Sequence, residues 1–328
     1  MIECFSNPSW INPQIDFLLF LQNIRIGHFE TFNKLFLSIT IFGELWLPTL
    51  ICAITYWCLD LKAGLYLFSL GSCNILFTHF AKMVACVYRP WVLSDKMCPV
   101  KEAVAFAKGY SFPSGHSATA SSVLGGVAFL LRHKIFISVL LIVLIFLVGF
   151  SRLWLGVHTP QDVVFGLLTG FILIFVLNFV INWAETDKNR YLILLAIIDA
   201  FAALALIYVC YFNQCRINFV NGELLVNPIK SIYTMIVCYG YALGLLNGAF
   251  VCRRFFPFEP KDGSNKVRII RGVIGGLLLI SIVRDVLQPI FFNIIDFKCA
   301  FVASMTIGLS LTLLYPIVFT KVEKWFIK

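Results

Sequence analysis

Lys82, Arg89–Pro90, Pro113–Ser114–Gly115–His116 and Ser151–Arg152…His158…Asp162 form one ordered series of cations, hydroxyls, imidazoles and a carboxylate. A phosphate monoester carries about two negative charges near neutral pH, so its cleavage needs fixed cations and donors aimed at the non-bridging oxygens. Lys82, Arg89 and Arg152 can supply that charge. Lys82 and Arg89 are seven positions apart, about two helical turns, and so can share one side of a helix that Pro90 then ends. Taken alone, the pair also fits a lysine reaching to a membrane surface beside an interfacial arginine. Ser114 is a natural helix N-cap, and the amides of Gly115 and His116 would point from a helix start toward an anion. His116, with an ordinary pKa of about 6.5, suits a general acid on a departing oxygen.

The third cluster is the most specific. Arg152 ends one apolar segment, and Thr159–Pro160 opens the next as N-cap and first helical residue. Asp162 follows His158 by four positions, one helical turn. Its carboxylate can hold one imidazole nitrogen and leave the other free as a nucleophile. A first-turn aspartate also stabilises a helix N-terminus by itself. Together the three clusters point to phosphoryl transfer at a membrane surface.

The elements that must carry them are membrane helices. The 328 residues are 60% hydrophobic and 13% charged, with a mean hydropathy of +0.89, well outside the balance of soluble domains. The expected fold is all-α, a polytopic bundle of about nine transmembrane helices near 41–58, 64–86, 115–131, 135–156, 160–183, 191–212, 229–251, 269–290 and 299–318. Ile15–Leu21 is too short to span, and the continuation carries Arg25, His28, Glu30 and Lys34, which predicts a helix lying in the interface. No basic start precedes Ile15 and no small-residue site follows the run, so a cleaved signal peptide is not expected. The organisation reads as an interfacial segment 1–40, a phosphatase core of five spans 41–184, and a four-helix extension 185–328. In that extension Lys230 and Arg271 read as snorkelling side chains, and Arg284–Asp285 as an intramembrane pair.

With nine spans, one set of loops plus the C-terminal tail carries about 13 lysines and arginines in about 42 residues, against about 8 in about 95 on the other side. The denser side, with the C-terminus, is expected in the cytoplasm and every phosphate-handling residue on the extracytoplasmic face. The net charge of +9 follows from this asymmetry and needs no nucleic-acid partner. Of 11 cysteines most, Cys86 among them, lie in apolar segments and read as small hydrophobes, while Cys98 and Cys215 fall in extracytoplasmic loops where they can pair.

The pattern Lys82-x6-Arg89-Pro90, Pro113-Ser114-Gly115-His116, Ser151-Arg152-x5-His158-x3-Asp162 resembles the three-part signature of the membrane type-2 phosphatidic acid phosphatase superfamily, over roughly residues 30–185. The resemblance implies a phosphohistidine on His158, proton donation by His116, orientation by Asp162, and phosphoryl-oxygen binding by Lys82, Arg89, Ser114, Gly115 and Arg152. It implies no metal and no cofactor, and the sequence offers no carboxylate cluster on that face suited to magnesium. A lipid phosphate or diphosphate monoester is the expected substrate and the bilayer the expected partner. Glucose-6-phosphatase-like hydrolysis of a soluble sugar phosphate is the alternative, since nine spans and Arg89–Leu93 resemble that branch. Vanadium haloperoxidases share the phosphate-cradling pattern, and a non-catalytic membrane protein that binds phosphate esters would also use such a cradle. Oligomeric state is not legible.

Overall fold

The computed structural model describes residues 11–107, 109–212, 219–220, 223–224, 226–262, 264–293 and 295–326. The fold is all-α. In chain order the helices are α1 (Asn12–His28), α2 (Phe32–Thr40, extended by a tight turn to Gly43), α3 (Trp46–Ile54, continued by a wide turn to Leu59), α4 (Leu61–Ala85), α5 (Pro90–Leu93), α6 (Lys101–Phe106), α7 (Gly115–Thr119), α8 (Gly125–Leu130), α9 (Ile135–Trp154), α10 (Pro160–Glu185), α11 (Lys188–Ile207), α12 (Pro228–Phe255), α13 (Asn265–Ser281), α14 (Gln288–Phe292), α15 (Phe297–Leu309) and α16 (Tyr315–Phe326). A hairpin of two-residue strands, Phe219–Val220 and Glu223–Leu224, precedes α12.

The protein is an integral, multi-pass membrane protein. Among the described residues six helices are long and apolar enough to cross a bilayer: Leu61–Leu93, Ile135–Trp154, Pro160–Glu185, Asn189–Phe212, Pro228–Phe255 and Phe297–Glu323. A bent pair, Phe32–Gly43 and Trp46–Leu59, meets at 47° where a single span was expected at 41–58. Among the described residues the count is thus six, or seven with the bent pair as one span, and the expected nine is not confirmed. The run from Gly115 to Leu130 holds 16 residues, about 24 Å of helix, short of a hydrocarbon layer of about 30 Å. Helix α13 has 17 residues before a wide turn at Ile282–Leu287 that contains Arg284 and Asp285.

Two compact units emerge. One comprises residues 1–44, 77–172 and 205–232, the other 45–76, 173–204 and 233–328. In the first, α9 packs against α1, α2 and the α7–α8 run. Ile11, Ile15, Leu18 and Leu21 at and along α1 are buried, whereas Phe17 and Phe20 are exposed. Arg25 of α1 donates to the carbonyls of Trp154 and Cys98, so α1 caps the end of α9.

In the second unit α12 is buried over most of its length, and its glycines explain how. A Cβ at Gly240 would stand 2.2 Å from Ser304 Oγ, one at Gly244 2.2 Å from the Met305 carbonyl oxygen, and one at Gly248 2.2 Å from Thr312 Oγ1. The four-residue repeat of small residues lets the backbones of α12 and α15 touch. Gly244→Ala meets backbone rather than a mobile side chain. It should cost about 3 kcal/mol or more, read as a lowered unfolding temperature in detergent.

Three readings of the sequence are corrected by the fold. Arg271 does not snorkel: it is buried, donates from Nε and Nη2 to both Glu323 oxygens (2.8 and 2.6 Å), and reaches the Trp57 and Pro260 carbonyls at 2.9 Å each. An arginine fork can satisfy a carboxylate and two carbonyls at once, which removes the need for water. Cys98 is a free thiol, and Cys215 lies outside the described residues. Cys86, read as a plain hydrophobe, is disulfide-bonded.

Candidate active site

All the chemistry-bearing residues fall in the first unit. Gly109 and Gly156, at φ +68° and +72°, make the two turns that bring the clusters together, a conformation L side chains resist. The Gly109 carbonyl accepts from Arg89 Nε (3.1 Å), and the Val157 carbonyl, just past Gly156, accepts from Arg89 Nη1 (2.9 Å). Arg89 thus ties the second cluster to the third.

Lys82, near the end of α4, donates to the carbonyls of Tyr110, Ser111 and Pro113 at 3.0, 3.0 and 2.8 Å. An ammonium has three N–H donors, and these three carbonyls take them. The side chain that sequence reading aimed at phosphate braces the loop before α7, and its charge reaches the site from there. Ser114 caps α7, accepting from the Ser117 amide (3.4 Å) and hydroxyl (2.9 Å). Its own amide donates to the Asp162 carbonyl (2.9 Å), which fixes the start of α7 against the start of α10.

His158 is 2% exposed. Arg89 Nη1 stands 2.8 Å from its Nε2, and Asp162 Oδ2 3.4 Å from its Nδ1. A guanidinium only donates, so the Nε2 lone pair faces it and the ring proton belongs on Nδ1, toward the carboxylate. Asp162 Oδ2 also accepts from the Thr159 amide (2.9 Å) and the Ser111 hydroxyl (2.5 Å), and Ser111 Oγ lies 3.4 Å from His158 Nδ1. Ser111 is a member of the site that sequence reading passed over, although it sits three residues before Ser114.

Arg152, at 1% exposure, donates from Nη1 to Thr40 Oγ1 (2.7 Å). Its Nε and Nη2 have no partner, nor does His116 Nε2. In this unit, among the described residues, these three are the buried side-chain nitrogens and oxygens left without a hydrogen bond. Such atoms cost about 1–3 kcal/mol each unless a ligand or water completes them. Gly43 packs on His116 so closely that a Cβ would come 2.7 Å from the His116 carbonyl oxygen. Thr40 and Gly43 carried no signal in the sequence.

Burial first, then Arg89, Lys82, Arg152 and His116, hold the His158 pKa well below the ordinary imidazole range. All four neighbours therefore act on one ring. As pH falls below about 6.5 the unfolded chain takes a proton that folded His158 refuses, so stability falls with pH there. Thermal unfolding of the ligand-free protein between about pH 7 and pH 5 should show this slope, and His158→Asn should reduce it.

Residues 62–186 match the family described as "PAP2 superfamily", and residues 236–324 match "PAP2 superfamily phosphatase, transmembrane extension". Residues 62–186 thus carry a PAP2 superfamily domain, and residues 236–324 the PAP2 transmembrane extension. All eight predicted site residues lie within the first PAP2 match, and the α12–α15 glycine contact lies within the second. Two curated relatives are "Phosphatidylglycerophosphatase B" of Bacillus subtilis (strain 168), 33% identical over 100 residues, and "Putative undecaprenyl-diphosphatase YbjG" of Escherichia coli (strain K12), 42% identical over 62 residues. Those alignments cover 28% and 19% of this chain and 48% and 30% of the relatives, so the chain spans less than half the length of these two curated relatives. No solved structure matches it.

Proposed function

We propose that this chain is a membrane phosphatase that hydrolyses a lipid phosphate or diphosphate monoester, without metal, through a phosphohistidine on His158. The observation that carries the reading is the set of unfilled donors on Arg152, with its charge, beside His116 and the Arg89–His158–Asp162 arrangement. An anionic phosphoryl group completes those hydrogen bonds and neutralises the cations around His158.

In the first step His158 Nε2 attacks phosphorus, the bond from phosphorus to the leaving oxygen breaks, and His116 gives that oxygen a proton. Asp162 and Ser111 hold the Nδ1 proton and stabilise the charge the ring acquires. In the second step water, deprotonated by His116, attacks phosphorus and the N–P bond breaks, releasing inorganic phosphate. Arg89 and Arg152 stay on the non-bridging oxygens throughout, with Ser114 and Gly115 at the head of α7 and the Lys82 charge behind them.

The donor set favours chemistry without a metal, since among the described residues no group of three or more His, Cys, Asp or Glu converges. An extracytoplasmic site is supported by Cys86, disulfide-bonded and three residues before Arg89, because disulfides persist in oxidising compartments. It is also supported by Arg132 and Lys134, and by Lys188 and Arg190, which adjoin the ends of α9 and α10 remote from Arg152 and Asp162. A lipid-borne substrate is favoured by the two relatives named for phosphatidylglycerophosphate and undecaprenyl diphosphate chemistry.

Purified protein in detergent with chelator, assayed on phosphatidate, phosphatidylglycerophosphate, a polyprenyl diphosphate and glucose 6-phosphate, tests this. Phosphate should be released from a lipid substrate with kcat/KM at least about tenfold above that for the sugar. Preference for glucose 6-phosphate would overturn the substrate class, and silence on all four the activity.

A further inference from the structure

A cavity of about 410 Å³ lies in the second unit, between the end of α10, the start of α11 and the end of α12, and none of the candidate active-site residues lines it. Its volume is in the range of small-molecule sites. Tyr191, Leu192, Leu195, Phe250, Arg253 and Arg254 supply the walls that matter here, and Glu185 and Asp187 complete the rim.

The two carboxylates are already committed. Glu185 pairs with Lys62 and with Arg253 Nη1 (3.3 Å), and Asp187 Oδ1 accepts the Asn189 amide (2.8 Å) at the head of α11. Arg253 Nη1 also donates to the Tyr191 hydroxyl (2.9 Å), with its guanidinium 4.8 Å from that ring. Arg254 is exposed and meets the Phe255 ring at 5.9 Å; among the described residues no carboxylate pairs with it. With Lys62 counted, three cations stand against two carboxylates, and Arg254 is the cation left to meet an added anion.

Polarity runs the same way along both helices. On α12 the arginines stand at the end, with Phe250 and Val251 within a turn before them; on α11 Tyr191 leads and Leu192 and Leu195 follow. Leu192, 58% exposed in the first turn of α11, leaves this wall open at the outer surface of the helices. An anion at the helix ends followed by hydrocarbon along the helices is the layout of a phospholipid.

We propose that this cavity binds one anionic phospholipid, with the phosphate on Arg253 and Arg254 and the first methylenes of a chain between Tyr191–Leu195 and Phe250. Basic pockets between membrane helices hold anionic headgroups in this way. The site is independent of the phosphatase reading, and a phosphodiester such as phosphatidylglycerol offers no monoester to the candidate active site.

Native mass spectrometry of the full chain, titrated with phosphatidylglycerol and with phosphatidylcholine of matched chains, tests it. Wild type should retain phosphatidylglycerol about tenfold better, Arg254→Gln should cut that retention about fivefold, and Leu195→Trp, which fills the apolar wall, should cut it while leaving both arginines. The same lipid should raise the unfolding temperature of wild type more than that of either variant. Equal retention of the two lipids by wild type, or wild-type retention of phosphatidylglycerol by both variants, overturns the proposal. Equal stabilisation by free glycerol 3-phosphate also overturns it, since the ligand would then be a soluble anion.

Discussion

His158→Ala should lower phosphate release by about 10⁴-fold or more, because in the proposed mechanism it removes the covalent nucleophile and leaves only the binding cradle to act on substrate. The ring is buried, with Nε2 against Arg89 and Nδ1 toward Asp162. The decisive readout is the intermediate. Wild type quenched in alkali, which spares an N–P bond, during turnover of radiophosphate-labelled substrate should carry label on protein, and His158→Ala should carry none. Ser111→Ala, which removes a 2.5 Å hydrogen bond to Asp162 Oδ2, should retain labelling at about a tenth of the wild-type rate. Label on the alanine variant of His158 at wild-type yield would remove that residue from the mechanism.

Arg152→Met should lower kcat/KM about 10²–10³-fold, the usual loss when one preorganised donor to a developing oxyanion is removed. Nη1 is held by Thr40 Oγ1, so the fork is oriented before any ligand arrives, and Nε and Nη2 remain for two phosphoryl oxygens. Arg152→Lys should recover little, since an ammonium on a flexible stem cannot present two parallel N–H groups. Vanadate, a mimic of five-coordinate phosphorus, should raise the unfolding temperature of wild type and leave that of Arg152→Met unchanged. Wild-type protection by vanadate in the methionine variant would mean that the open donors face something other than the phosphoryl site.

Local relations were legible in the sequence. His158 and Asp162 are four apart at a helix start, Ser114 precedes a glycine and a histidine, and each of these is a contact between near neighbours on one helix turn. What depended on packing was not. Thr40 is 112 positions from Arg152, and nothing in its surroundings announces that it orients a guanidinium. The three donors of Lys82 go to a loop about thirty residues on, a pairing that its charge did not announce. Arg271 read as snorkelling by its position near a helix end, yet Glu323, 52 residues away, gives it a partner in the interior. The Gly240, Gly244, Gly248 spacing was visible but unused, and it explains more of the C-terminal helices than their charges do. The number of spans was not legible in the same way, since hydropathy measures length along the sequence and not the bend at 41–58 or the shortness of the Gly115–Leu130 run.

The contact between Arg89 and the outer nitrogen of His158 has a bearing on which esters can react. At rest that nitrogen is engaged by a neighbour, and under the proposed mechanism an incoming group would have to compete for the guanidinium before the ring is released to attack. A terminal phosphate, with two charges, competes well; the singly charged diester linkage of ordinary bilayer lipids competes poorly. An enzyme immersed in phospholipid would in this way be spared from attacking its own solvent.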